Sequence, residues 1–171
     1  MKKIINLFAL LFSTFIFAQV STTRINDFRL GMKKSELEKI IGKQINIKLE
    51  DGYPSGPTHV VYKGVVLEIF FNNSYDDSGN QLNDYTIYSV SSKDKSLKTL
   101  SGIGIGNSLD DLIGKYKDKN IEISDSWDDN GKRVKTKRYF TINDYDAGTY
   151  LMFTLQNGKV IDIYTSYKEG C

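Results

Sequence analysis

The chain is poor in residues that would each open a class of chemistry. Its one cysteine, Cys171, is the last residue. No disulfide forms within the chain, and in an oxidising compartment a lone thiol can pair only between chains. A nucleophile at a chain end is poorly held. The one histidine is His59. A structural zinc needs several Cys and His ligands at short spacing, so no metal is expected. Both prolines, Pro54 and Pro57, fall with Gly52 and Gly56 between residues 51 and 58, which marks that stretch as a loop.

No apolar run reaches the roughly 20 residues that span a bilayer as a helix. The longest, Ile4 to Phe17, is interrupted by Asn6, Ser13 and Thr14. Lys2 and Lys3 precede it and Ala18 follows it. Basic start, short apolar run and small residue together make a cleaved secretory signal over residues 1–18. The mature chain is therefore expected to be secreted or periplasmic, starting near Gln19. No cysteine stands beside the cut to carry a lipid, so no stable membrane anchor is expected after cleavage.

An excess of charge is missing as well. The chain has 23 Lys and Arg against 21 Asp and Glu, and two of those lysines, Lys2 and Lys3, leave with the signal, so the mature chain balances at 21 against 21. A nucleic-acid footprint needs a basic excess or a clustered basic face, and no nucleic-acid partner is expected. The basic stretch Lys132 to Arg138 reads as the solvated face of an antiparallel strand.

What the chain does have is a helical element that occurs twice. LGMKKSELEKIIGK, Leu30 to Lys43, is matched by IGNSLDDLIGKYKD, Ile105 to Asp118. Gly31 and Gly106 lie 75 positions apart, and aligning them also aligns Glu36 with Asp111 and Leu37 with Leu112. Leu37, Ile40 and Ile41 in one copy, and Leu109, Leu112, Ile113 and Tyr116 in the other, follow the spacing of one buried helix stripe. Ser108 with Asp111 forms a capping box. Each copy leads into residues that alternate with period two. Strands are expected at Ile45–Leu49, His59–Tyr62, Val65–Phe71, Tyr85–Ser91, from Ile121, and near Val134–Ile142, Thr149–Leu155 and Val160–Tyr167. Asn72 to Asp84 reads as a long loop, and Asn130-Gly131 and Asn157-Gly158 as two-residue hairpin turns. The expected class is α+β: two tandem helix-plus-antiparallel-meander repeats, residues 19–94 and 95–171, with the helices on one face of a sheet of about eight strands.

The repeated element resembles the Gly-Met-x-x-x-Glu-Leu motif of the small outer-membrane assembly lipoproteins of the SmpA type, through Gly31-Met32, Glu36-Leu37 and Gly42. Two copies in tandem resemble the fold of beta-lactamase inhibitory protein. The second copy has Asn107 for Met and Asp111 for Glu, and Lys43 stands where Pro is usual. The chain lacks the inhibitor's disulfides and the lipoproteins' lipid-bearing cysteine. The resemblance thus implies a fold and protein binding, and neither specific role.

Chemistry is sparse. Gly102, Gly104 and Gly106 lack the context of a phosphate-binding loop and read as a tight entry to the second helix, so no cofactor is expected. Ser74-Tyr75-Asp76-Asp77-Ser78-Gly79 and Ser126-Trp127-Asp128-Asp129-Asn130-Gly131 resemble each other. Neither has the alternating ligands and closing Glu of a calcium loop, and both suit hairpin turns. An exposed aromatic beside carboxylates is also an interface anchor.

The candidate binding residues are Trp127, Tyr75, Tyr164, Asp76 and Asp128, on an open sheet face and these two acidic-aromatic loops. The expected function is a non-enzymatic binding module for a protein partner in the cell envelope. The alternatives are a small envelope hydrolase using His59, and a structural assembly protein dimerised through Cys171. N-terminal sequencing of the exported protein should read from Gln19, within a residue or two. A chain that keeps Lys2 and Lys3 would overturn the leader assignment.

Overall fold

The computed structural model describes residues 20–168. The expected leader, residues 1–18, and Cys171 lie outside the described residues. The chain opens with three two-residue strands, β1 (Val20–Ser21), β2 (Arg24–Ile25) and β3 (Phe28–Arg29), which pair antiparallel as a small sheet. Helix α1 (Lys34–Ile41) follows, then a two-stranded ribbon of β4 (Leu49–Glu50) and β5 (Tyr53–Pro54). The main strands of the first half are β6 (Thr58–Tyr62), β7 (Val65–Tyr75) and β8 (Gln81–Ser92). Helix α2 (Leu109–Tyr116) precedes β9 (Ile121–Trp127), β10 (Arg133–Asp144), β11 (Thr149–Gln156) and β12 (Lys159–Tyr167). The long strands form one seven-stranded antiparallel sheet, in the order β6-β7-β8-β12-β11-β10-β9.

The class expected from sequence is corrected. The described residues are mostly β, with 53% strand and 11% helix, and they do not form an α+β array of two helix-plus-meander repeats on a sheet of eight strands. Three long strands come from the first half and four from the second, with two small accessory sheets beside them. The helices are eight residues each, and each buries little: Leu37 in α1, Leu112 and Tyr116 in α2. The apolar sequence is spent instead on strand faces. In β7, residues 65, 67, 69 and 71 are buried in alternation, as a sheet covered on one side requires, and at its far end Asn73 and Ser74 are both buried.

Two local expectations also change. Asn72 to Asp84 is strand up to Tyr75 and again from Gln81, because paired backbones hold a ribbon whose side chains are largely polar. Conversely, residues 43–48 carry no strand. Ile45 is buried, and its N–H donates to Glu38 Oε1 of α1 at 2.8 Å, so a side chain ties the segment down in place of a ladder.

The core is one cluster. It includes Phe28, Leu37, Leu67 and Ile69 from the first half and Leu112, Phe140 and Phe153 from the second. Tyr116 lies 6.3 Å from Phe140 and 6.4 Å from Phe153, centroid to centroid, and its hydroxyl lies 2.7 Å from Thr99 Oγ1, which keeps its polar end satisfied.

The two copies of the short motif grip the sheet alike. Gly31 N–H donates to the Ile87 carbonyl at 2.8 Å, and Ile87 N–H returns to the Met32 carbonyl at 2.9 Å. Gly106 N–H donates to the Val160 carbonyl at 2.8 Å, and Val160 N–H returns to the Asn107 carbonyl at 2.9 Å. Each gripped residue sits just before an extra residue in its strand, Tyr88 in β8 and Ile161 in β12, where the pairing register shifts. The Ser108–Asp111 capping box starts α2, whereas Lys33 at the start of α1 makes no side-chain cap.

Both motif glycines have positive φ, +78° at Gly31 and +90° at Gly106. A Cβ on Gly31 would also lie 2.7 Å from Tyr167 Oη, while a Cβ on Gly42, at φ +71°, would meet nothing. Gly42→Ala therefore isolates backbone strain, about 1 kcal/mol, and Gly31→Ala adds the clash, for roughly 2–3 kcal/mol in total. Denaturant unfolding should rank the variants in that order, and equal losses would deny the Tyr167 contact any weight.

Candidate functional site

The sheet face away from the helices is built by alternation, and its registers can be followed strand by strand. One row runs His59, Glu68, Ser91, Tyr164, Met152, Thr141 and Glu122 across all seven long strands. The row beside it runs Phe70, Ser89, Ser166, Tyr150 and Asn143. Ser89, Ser91 and Ser166 are buried even on this face, because larger neighbours stand over them, while Phe70, Tyr150, Met152 and Tyr164 are half-buried. The Tyr150 and Tyr164 rings lie 5.9 Å apart at 41°. Burial, and then Tyr164, pushes the Tyr150 phenol well above its usual range, so it stays a neutral donor.

A polar group borders these aromatics. His59 Nε2 lies 3.6 Å from Glu68 Oε1, and Ser91 Oγ donates to Glu68 Oε2 at 3.5 Å. Glu68 also lines a recess of about 250 Å³ with Val66, Ser92, Lys93, Asp94 and Asp162. Burial raises the Asp162 carboxyl to about 6, with Glu68 adding to the rise and Lys93 opposing it. This group exchanges its proton near neutral pH, a property associated with functional sites.

The hydrolase alternative needs a nucleophile in contact with its base. His59 does meet a carboxylate, yet Ser91 turns to that same carboxylate, so serine and histidine flank Glu68 from either side. His59 is exposed on the outermost strand of the sheet and does not line the recess. The geometry offers a hydrogen-bonding surface with a titratable rim.

The residues singled out in the sequence are not brought together. Tyr164 lies within the open face. Tyr75 ends β7, and Trp127, 64% exposed, ends β9. These strands are second and seventh in the sheet, five steps apart, so they run in opposite directions and their ends lie at opposite ends of the sheet. The lateral separation alone is roughly 24 Å. Open face and both loops therefore do not form one continuous working surface.

Asp76 and Asp128 are taken up by their own turns. Asp76 Oδ1 accepts from the N–H groups of Ser78 and Asn80, and Asp128 Oδ1 from those of Asn130 and Lys132, all at 2.8–3.0 Å. Hydrogen bonds from Asn80, side chain first, hold the Asp76 carboxyl below its usual range. Asn157 and Gly158 both take positive φ as a two-residue turn requires, whereas of Asn130 and Gly131 only the glycine does.

Among the described residues no three His, Cys, Asp or Glu side chains come together as a metal site, and no helix is long and apolar enough to cross a membrane. A further cleft of about 490 Å³ beside β1 and the end of α2 is lined in part by Asp144 and Tyr116. Four of its polar side chains pair with one another, Thr22 with Asp144 at 3.0 Å and Thr99 with Tyr116 at 2.7 Å. Compared with family models, curated proteins and solved structures, the chain has no match.

The sequence reading missed Glu68, Asp162, Tyr150 and Met152 as neighbours of Tyr164. The β11–β12 pairing sets Tyr150 and Met152 beside Tyr164, and the β8–β12 pairing brings Glu68 of the first half to them.

Asp162 binds its proton more tightly folded than unfolded. Stability therefore falls as pH rises from the ordinary value of 3.8 through about 6, and stays lower above it. Asp162→Asn should remove that slope, gaining about 1 kcal/mol at about pH 7.5, after discounting for partial exposure, and nothing near pH 3. Unfolding curves across this range test it, and a gain independent of pH would refute the burial account.

Proposed function

We propose that this chain is an exported, non-enzymatic binding module that holds a protein partner against the open face of its seven-stranded sheet. The observation that carries the reading is the adjacent half-buried group of Tyr150, Met152 and Tyr164, with Phe70 across the small serines of β8 and β12 and with Glu68 and Asp162 at its border. Aromatic and methionine side chains beside a polar rim are the composition of protein interfaces. Tyrosine delivers contact area with little rotamer loss, and Tyr150 keeps its hydroxyl neutral for hydrogen bonding. Export rests on the basic, apolar and small-residue pattern of residues 1–18.

The test is retention of an envelope or culture protein on immobilised residues 19–171, followed by affinity measurement with that protein once purified. Tyr164→Ala should weaken binding about tenfold or more, as loss of a central aromatic anchor does. Trp127→Ala, at a remote corner, should leave it within about twofold. If binding is lost with Trp127→Ala and kept with Tyr164→Ala, both proteins folded, the working surface is the β9–β10 tip and the open-face assignment fails.

A further inference from the structure

A second site lies beyond the Tyr164 patch, where β5 contacts β7. A cleft of about 560 Å³ is lined there by the tyrosines Tyr53, Tyr75, Tyr88 and Tyr167, together with Asn72 and Asn73. That volume falls in the range of small-molecule sites. Tyr53 and Tyr75 are 62% and 55% exposed. Tyr88 and Tyr167 lie 6.3 Å apart, and Tyr167 is seated where Gly31 has no side chain.

Asn73 is the informative residue. It is only 7% exposed, yet neither its Oδ1 nor its Nδ2 has a hydrogen-bond partner. Native structures rarely leave a buried carboxamide unpaired on both atoms, and such a group calls for a missing water or ligand. The other residues on this face of β7, Val65, Leu67, Ile69 and Phe71, are apolar, and Ser74 beside Asn73 is also buried with its Oγ unpartnered.

We propose that this cleft binds an uncharged saccharide, with tyrosine rings against the sugar's C–H faces and the Asn73 carboxamide paired to its hydroxyls. The charge of the lining favours a neutral ligand: no lining side chain is a carboxylate, an ammonium or a guanidinium. The orphan amide needs a partner that donates to Oδ1 and accepts from Nδ2, and a hydroxyl does both. Flat aromatic walls favour a ring over a branched aliphatic chain. The assignment does not rest on the open-face reading, since Tyr164 does not line this cleft, although Tyr88 of its lining comes within the field of Tyr150.

The experiment is a titration of ¹⁵N-labelled residues 19–171, which keep every described residue, with maltotetraose, cellotetraose and chitotetraose, and with tetra-alanine as an uncharged peptide. At least one saccharide should move the Asn72 and Asn73 side-chain amide resonances saturably. Tyr75→Ala should then weaken that affinity about tenfold, and Trp127→Ala should leave it unchanged. Asn73→Leu, which removes the orphan amide, should retain the fold and abolish the response. Silence from all three saccharides, movement caused only by the peptide, or shifts that survive Asn73→Leu would each overturn the proposal, leaving Asn73 as an amide satisfied by trapped water.

Discussion

Two reciprocal pairs of main-chain hydrogen bonds connect the helical segments to the sheet. Gly31 and Met32 clasp Ile87, and Gly106 and Asn107 clasp Val160. Each clasp falls beside a register shift in its strand. A bulge bends the strand and disrupts the local ladder, and the clasp meets backbone groups there. Positive φ at both glycines turns the chain into its helix from that point. Leu37 and Leu112 then reach the core by only a short distance, which is why eight-residue helices suffice.

The second constraint is the seam between β8 and β12. Its register covers Ser89 to Ser92 against Ser166 to Ile163, far shorter than the β7–β8 or β10–β11 ladders. Small side chains on both strands allow the larger residues around them to close over the join. The same seam creates the open-face chemistry. Ser91 stands between Glu68 and Tyr164, and Asp162 comes into the field of Glu68 and Lys93. None of these relations exists within either half of the chain alone.

Much of the local structure was legible from residue order. The two helices, the capping box at Ser108 and the Asn157-Gly158 turn follow from period and turn chemistry, whereas Ile40 and Ile113 of the expected helix stripes are exposed. The misreadings have a common cause. Polar residues at 72–75 and 81–84 look like a loop because strand signals come from apolar alternation, and a projecting ribbon needs only its backbone ladder. Ile45 and Ile47 look like a strand because alternation cannot tell a ladder from a segment pinned by Glu38. Asp76 and Asp128 look available to a partner until their own turns are seen to occupy them.

By itself the sequence determined the composition limits, the basic, apolar and small-residue order of residues 1–18 and the twice-used glycine motif, because these depend on neighbours within a few positions. Tertiary structure decided the rest. Strand order places Trp127 and Tyr75 at opposite ends of the sheet and gathers Glu68, Asp162 and Tyr164 on one face. It also leaves the Asn73 carboxamide buried without a partner beside four tyrosines. Such relations depend on which strands pair across long sequence separations, and no local period encodes that choice.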